Sequence, residues 1–444
     1  MLRLLTALAV ALVAAPLLSV LLASREDRVI EQIRPPAVAT DSARPSLGAP
    51  RMAAEPRPSF TAPGEDSVFQ VAAEAAWRYV ESQYQPRTGL VNSVIHYPYA
   101  TVWDIGSTLA AFYSAHELGF LPSDDYHART ARLLQTLAEM PLFSNAAFNK
   151  NYHVSRGTPA GRSDRELTQG YGWSATDMGR LLVWLRIVAN GHPQHLPAIE
   201  EIVGRLAFDR LVKEGYLWGE DLGASGRRRA YQEGRLGYEQ YAAAGFALWG
   251  HYAERALSVI ENSDSLHVLG TPILVDRREG AHLTSEPFVL LGLEVGYWSP
   301  QWEQLAESIL AVQEARYEQT GQFTIVSEDA VPVAPNYFYY YTIHNRGTDF
   351  AVVSLTGTRP LSGPRWISSK AAFGWYAIRP GPYTWEAVQR VVPAINAQAG
   401  WSSGVYERTG EPTGGQNINT SAVILEAALY RKLGRPLLSE TAGT

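Results

Sequence analysis

Two kinds of helix take turns along this chain, and that alternation constrains its fold more than any other feature. From about residue 66 to 435 apolar residues recur with the helical period. Six segments are rich in Ala, Gly and Leu and poor in charge. They begin near Trp103 (WDIGSTLAAFYSAHEL), Trp173 (WSATDMGRLLVWLRIV), Tyr238 (YEQYAAAGFALWGHYA), Glu286 (EPFVLLGLEVGYW), Ser368 (SSKAAFGWYAI) and Asn419 (NTSAVILEAALYRKL). A helix that is apolar on nearly every side must be buried. Between them lie charged, amphipathic stretches near 67–83, 124–139, 194–212, 300–317 and 384–397, with a sixth near 252–261 that is short or merged with its predecessor. Alternating buried and exposed helices predict an all-α fold over 67–436, an (α/α)6 toroid of about six helical hairpins, with 437–444 as a tail. Strand-like alternation is scarce, the Tyr-rich stretch Asn336–Ile343 being the main exception. A short echo supports repeated hairpins: Thr88-Gly89, Thr320-Gly321 and Thr409-Gly410 each follow a Tyr by a short spacer. Thr-Gly is turn chemistry, because Gly accepts positive φ.

The N-terminus reads differently. Residues 4–23 carry no charge and are followed by Arg25, Glu26, Asp27 and Arg28. Twenty apolar residues are enough to span a bilayer. Ala23 could serve at −1 of a cleavage site but Leu21 is a poor −3 residue, so 1–30 is read as an uncleaved inner-membrane anchor, with a signal peptide as the alternative. Seven prolines within 31–66 mark a semi-rigid linker. This arrangement expects a periplasmic body, secreted if the leader is cleaved.

Composition removes several classes of function. The 444 residues include no cysteine, which excludes a disulfide framework, a thiol nucleophile and Cys-ligated zinc. The net charge of −6 offers no basic footprint for nucleic acid. No G-x-S-x-G elbow, phosphate-binding Gly loop or H-E-x-x-H is present, and the ten histidines are spread along the chain without ligand spacing. No cofactor and no metal are expected. Aromatic residues reach 11%, with 23 Tyr and 12 Trp, and flat half-apolar rings suit sugar faces.

In a helical toroid, chemistry gathers where the N-termini of inner helices meet, since their amide ends favour negative groups. The densest cluster of candidates is Tyr216–Gly250. There Glu233 sits between Tyr231 and Tyr238, where aromatic walls would raise its pKa as a general acid requires. Glu239 is a second candidate acid. Trp103-Asp104 and Trp173-Ser-Ala-Thr-Asp177 share one theme, a Trp at a helix start and an acid on its first turn. Asp104 or Asp177 would direct a water, and the alternative role for either is helix capping. Trp103, Trp173, Trp218, Tyr231, Tyr238 and Tyr241 would line sugar subsites, Arg235 would hold a carboxylate or tune Glu233, and Glu286 and Glu407 supply further acids. Ser327-Glu328-Asp329 supplies further acids, and Tyr337–Tyr341 with His344 is read as core packing or a sheet edge, with a lid or a lyase-type base as the alternatives.

The phrases TGLVNS, WDIGSTLAA, GWSATDMGRLL, YQEGRLGYEQYAAAGFALWG, SEPFVLLGLE, RYEQTGQFTIVSED, SSKAAFGWYA and GVYERTGE…NINTSAVILEAALY resemble the bacterial family known as domain of unknown function 3131, over roughly 70–435. That family is similar at the fold level to glycoamylase-like (α/α)6 proteins, among them β-glucanases. The resemblance implies a toroid and an exported protein tied to envelope or secreted polysaccharide. It carries no catalytic assignment.

Together these readings expect a glycoside hydrolase or transglycosylase acting on a bacterial glucan or exopolysaccharide by two carboxylates. Its partners would be the polysaccharide, the inner membrane through the N-terminal helix, and polysaccharide synthesis or export machinery. The rival is a non-catalytic polysaccharide-binding or assembly protein, which needs no opposed carboxylates. A lyase is a third reading, disfavoured by the acidic balance.

Overall fold

The described part of the computed structural model covers residues 64–438, apart from 162–165, 224, 279–281, 346–347, 356–358 and 397–398. The apolar run at 4–23 and most of the proline-rich linker lie outside it. Among the described residues no helix is long and apolar enough to cross a membrane.

Helices alternate as the composition predicts. In chain order they are α1 (Glu65–Gln83), α2 (Val102–Leu118), α3 (Ser123–Glu139), α4 (Ala175–Gly191), α5 (Leu196–Gly204), α6 (Tyr238–Ala247), α7 (Glu254–Leu257), α8 (Glu286–Leu290, extended by a π-helical turn at Leu291–Val295), α9 (Pro300–Thr320), α10 (Ser369–Ile378), α11 (Pro382–Val391) and α12 (Ile418–Leu433). The even-numbered helices pack in a closed ring, α12 against α2, α2 against α4, α4 against α6, then α8, α10 and back to α12. The odd-numbered helices lie outside them. The short α7 is followed by a hairpin, Ser263–Val268 with Thr271–Asp276, where the other repeats carry a longer outer helix.

Small residues let the inner ring close tightly. A Cβ on Gly245 of α6 would stand 2.2 Å from the Gly179 carbonyl oxygen of α4, so only glycine fits there. The Thr-Gly echoes are turns of the expected kind, with φ of 76° at Gly89, 70° at Gly321 and 72° at Gly410.

The ring is bound at its middle by a buried ion cluster. Arg180 of α4 donates to Ser107 of α2 at 3.0 Å, to Tyr241 of α6 at 3.1 Å, to Glu294 of the π-turn at 2.7 Å and to Glu426 of α12 at 3.0 Å. One guanidinium fork thus ties together five of the six inner elements.

The structure corrects the all-α expectation. Connections from inner to outer helices are tight turns, whereas those from outer to inner helices are long and carry short strands. Those used below are β1 (Gly172–Trp173), β2 (Tyr216–Leu222), β3 (Arg228–Glu233), β4 (Glu328–Ala330), β5 (Tyr337–Tyr340) and β6 (Val352–Ser354). β3 pairs antiparallel with β2, setting Glu233 opposite Leu217, and β1 pairs with the other edge of β2. β5 is the middle strand between β4 and β6. Elaboration is therefore concentrated on the rim where the inner helices begin.

Candidate functional site

Two groups of acids are built on this rim. The first is built at the start of α4. Ser174 is its N-cap, accepting from the Asp177 backbone N–H at 3.0 Å. The end of β3 brings Glu233 to the same turn, where Oε2 accepts from the N–H groups of Ala175 at 2.5 Å and Thr176 at 3.4 Å. Burial pushes both carboxyls up, and Asp177 is driven to about 7 by burial first and then by the charge of Glu233. Lys150 opposes the shift in both. Its ammonium donates to Asp221 at 2.6 Å and to the Tyr231 hydroxyl at 2.8 Å.

The second wall gathers Glu286 from the start of α8, Lys370 from the start of α10, and Glu328 and Asp329 from β4. Lys370 Nζ donates to Glu286 Oε2 at 2.6 Å and lies 3.7 Å from Asp329 Oδ1. The Tyr238 hydroxyl donates to Glu286 at 3.3 Å, and the Trp366 indole donates to Asp329 at 2.8 Å. Burial, offset in part by Arg235 and reinforced by the charge of Glu286, moves Glu328 up to about 7. Burial raises Asp329 to about 6 against the pull of Lys370. Arg235 stands at the seam. It donates to the Tyr341 hydroxyl at 2.7 Å, lies 3.9 Å from Glu328 and covers the rings of Tyr238 and Tyr339.

Period 2 along β5 explains the Tyr run. Phe338 and Tyr340 turn into the core, while Tyr337 and Tyr339 remain half-buried. Burial raises the Tyr339 hydroxyl first, followed by the charge of Glu328, and Asp177 adds to it. Tyr339 therefore feels the charge of an acid from each group. His344 is buried and stacks with His282, whose neighbour is Tyr341.

Other sequence candidates are spent on structure. Asp104 closes a capping box with Thr101, accepting its N–H and hydroxyl on Oδ2 at 2.8 Å each, while Asn419 of α12 donates to Oδ1 at 3.0 Å. Its carboxyl joins two inner helices instead of facing a water. Glu239 is buried in an ion pair with Arg278 at 2.5 Å, which also binds Asp276. Glu407 accepts from the Tyr340 hydroxyl at 2.6 Å and lies 3.7 Å from Arg316. Trp173 is buried, its indole donating to the Trp218 carbonyl and its ring covered by Arg210, so it has no free face for a sugar. Tyr241 is equally enclosed, donating to Glu294 at 2.5 Å. Trp103 packs on Tyr238 and Tyr241 beneath the site. Trp218 is half-exposed on β2 with its indole bonded to the Lys213 carbonyl.

Sequence reasoning passed over Lys150 and Lys370. A signal existed, since the chain has only four lysines among its 38 basic residues and these two stand at the site.

The chain belongs to a family described as protein of unknown function (DUF3131), whose sequence profile matches residues 71–434. No curated protein matches the sequence. Solved structures share the architecture at low identity. A candidate glucoamylase from Bacteroides caccae superposes with a TM-score of 0.62 at 14% identity, over 84% of this chain and 94% of that one. An endo-β-1,2-glucanase from Chitinophaga pinensis, in complex with sophorotriose and glucose, gives 0.61 at 14%, over 84% and 93%. A cellobiose 2-epimerase from Spirochaeta thermophila gives 0.51 at 13%, over 84% and 100%. These likenesses establish the (α/α)6 fold, which hosts more than one reaction on sugars.

Proposed function

We propose that this protein is a glycoside hydrolase acting on a bacterial glucan, with its chemistry divided between the two acidic walls. The observation that carries the reading is a pair of carboxyls pushed up to about 7, Asp177 in one group and Glu328 in the other, whose charges both act on the Tyr339 hydroxyl. The Asp177–Glu233 pair cannot easily hold two charges in a buried site, so it retains one proton near pH 7. That proton, shared within the Asp177–Glu233 pair, is the one given to the glycosidic oxygen. Glu328, with Asp329 and Glu286 set on Lys370, receives the proton of the attacking water. This role falls to the β4 wall, since Asp104 is engaged in capping. Arg235 and the half-buried Tyr231, Tyr337 and Tyr339 would hold sugar rings and hydroxyls. The glucan specificity of the sophorotriose-bound neighbour supports β-1,2-glucan as the first substrate to try. An exported location rests on the uncharged 4–23 run and the proline linker.

The test uses the full-length chain and its Glu233→Gln variant with β-1,2-, β-1,3- and β-1,4-glucans, read by mass spectrometry. Fragments carrying one added water per cut, made by wild type and not by the variant, are the expected result. Products 18 Da lighter with an unsaturated end would mean a lyase. An isomerised sugar of unchanged mass would mean epimerase chemistry. Binding without conversion in both proteins would mean a polysaccharide-binding role.

A further inference from the structure

The histidines that look scattered in sequence converge in space. His116, His127, His192 and His195 meet around Tyr126 at the rim opposite the acidic walls, where α2 and α4 end. His116 lies in the last turn of α2 and His192 is the C-cap residue of α4. Helix C-termini carry partial negative charge and favour a cation. One donor atom from each of His116, Glu117 and His192 falls within 4.8 Å of the other two. His192 Nε2 lies 3.6 Å from Glu117 Oε1. That atom is buried and, among the described residues, meets no partner at hydrogen-bond distance. Metal–ligand distances of about 2.0–2.2 Å set neighbouring donors of a tetrahedral site roughly 3.4 Å apart.

We infer that His116, Glu117 and His192 form a binding site for a divalent transition ion such as Zn²⁺. Two imidazoles and one carboxylate are a borderline-soft set, suited to zinc, cobalt or nickel and poorly suited to calcium or magnesium. His116 is oriented by its Nδ1, which lies 3.1 Å from the Leu121 carbonyl and so leaves Nε2 for the ion. Such an orienting bond is the usual support of a metal-ligating histidine. His127 and His195 stand behind, with 3.1 Å between His127 Nδ1 and His195 Nε2. Lys432 donates to the Glu117 backbone carbonyl at 2.6 Å. Three protein ligands leave a fourth position for solvent. An ion here would pin the ends of two adjacent inner helices, far from the carboxyl chemistry.

The test is equilibrium dialysis of the EDTA-stripped full-length chain against Zn²⁺ alone, and against Co²⁺ for its visible spectrum. The site predicts one Zn²⁺ per chain, a four-coordinate Co²⁺ absorption and a melting temperature raised by Zn²⁺. His192→Gln should weaken binding about 100-fold. Glu117→Gln, at a side chain 35% exposed, keeps the test open if the histidine variant fails to fold, and should weaken it about tenfold. No stoichiometric Zn²⁺ or Co²⁺ on the wild type, or wild-type binding by the foldable variants, would overturn the inference.

Discussion

The middle of the ring and its acidic rim both place several carboxylates around one or two cations, yet they behave as opposites. At the middle, Arg180 faces Glu294 and Glu426, all at most 1% exposed. Burial, and after it the charge of Glu294, push Glu426 well above the ordinary carboxylate range, so it keeps its proton. A proton kept there reduces the charge that the dry core must hold. At the rim, Lys370 and Arg235 face Glu286, Glu328 and Asp329, and a second acid pair lies on the same rim. Burial moves Asp177, Glu328 and Asp329 up to about 6–7, where a proton can be gained or lost at modest cost. The difference teaches that buried acids alone do not mark a site; acids poised near neutral pH beside half-exposed rings do.

The largest effect should come from the dry cluster. Arg180→Met leaves two acids without their cation and should cost about 3–5 kcal/mol in urea denaturation of the full chain. A loss under about 1 kcal/mol would show that the ring does not depend on it. At the rim the balance should reverse. Glu233→Gln should lower kcat about 10²–10⁴-fold while the melting temperature moves little, which separates chemistry from folding. A smaller effect tests the close helix contact that shapes the rim: Gly245→Ala should destabilise by about 1–3 kcal/mol through overpacking. Smallest is a pH-dependent term. The Asp177 carboxyl titrates at about 7 when folded, against an ordinary value of 3.8. Its contribution is therefore fully present below about 4 and is lost as pH rises towards 7. Between those values the wild type should lose stability relative to Asp177→Asn, and parallel stability curves for the two proteins would contradict the poised state.

The helices were legible because burial demands all-round apolar sequence, and starts such as Tyr238 and Glu286 fall where composition placed them. The strands were not, because pieces such as Gly172–Trp173 and Glu328–Ala330 are too short to display a period. Glu233 and Asp177 were visible as acids next to inner-helix starts. Asp104 shares that position, and only coordinates reveal that both its oxygens turn to Thr101 and Asn419. Glu328 precedes α10 by some forty residues in sequence and reaches the rim through its pairing with Tyr339, a contact that no local pattern encodes. The His116–His192 encounter is likewise a product of two helices ending side by side.

The most direct measurement of the central claim is kcat on the best glucan for Glu233→Gln, Glu328→Gln and the double variant. Two walls serving one transition state predict strong loss in each single variant and a double variant scarcely worse than the poorer single. Wild-type turnover in Glu328→Gln, or losses that simply multiply in the double variant, would contradict a shared site.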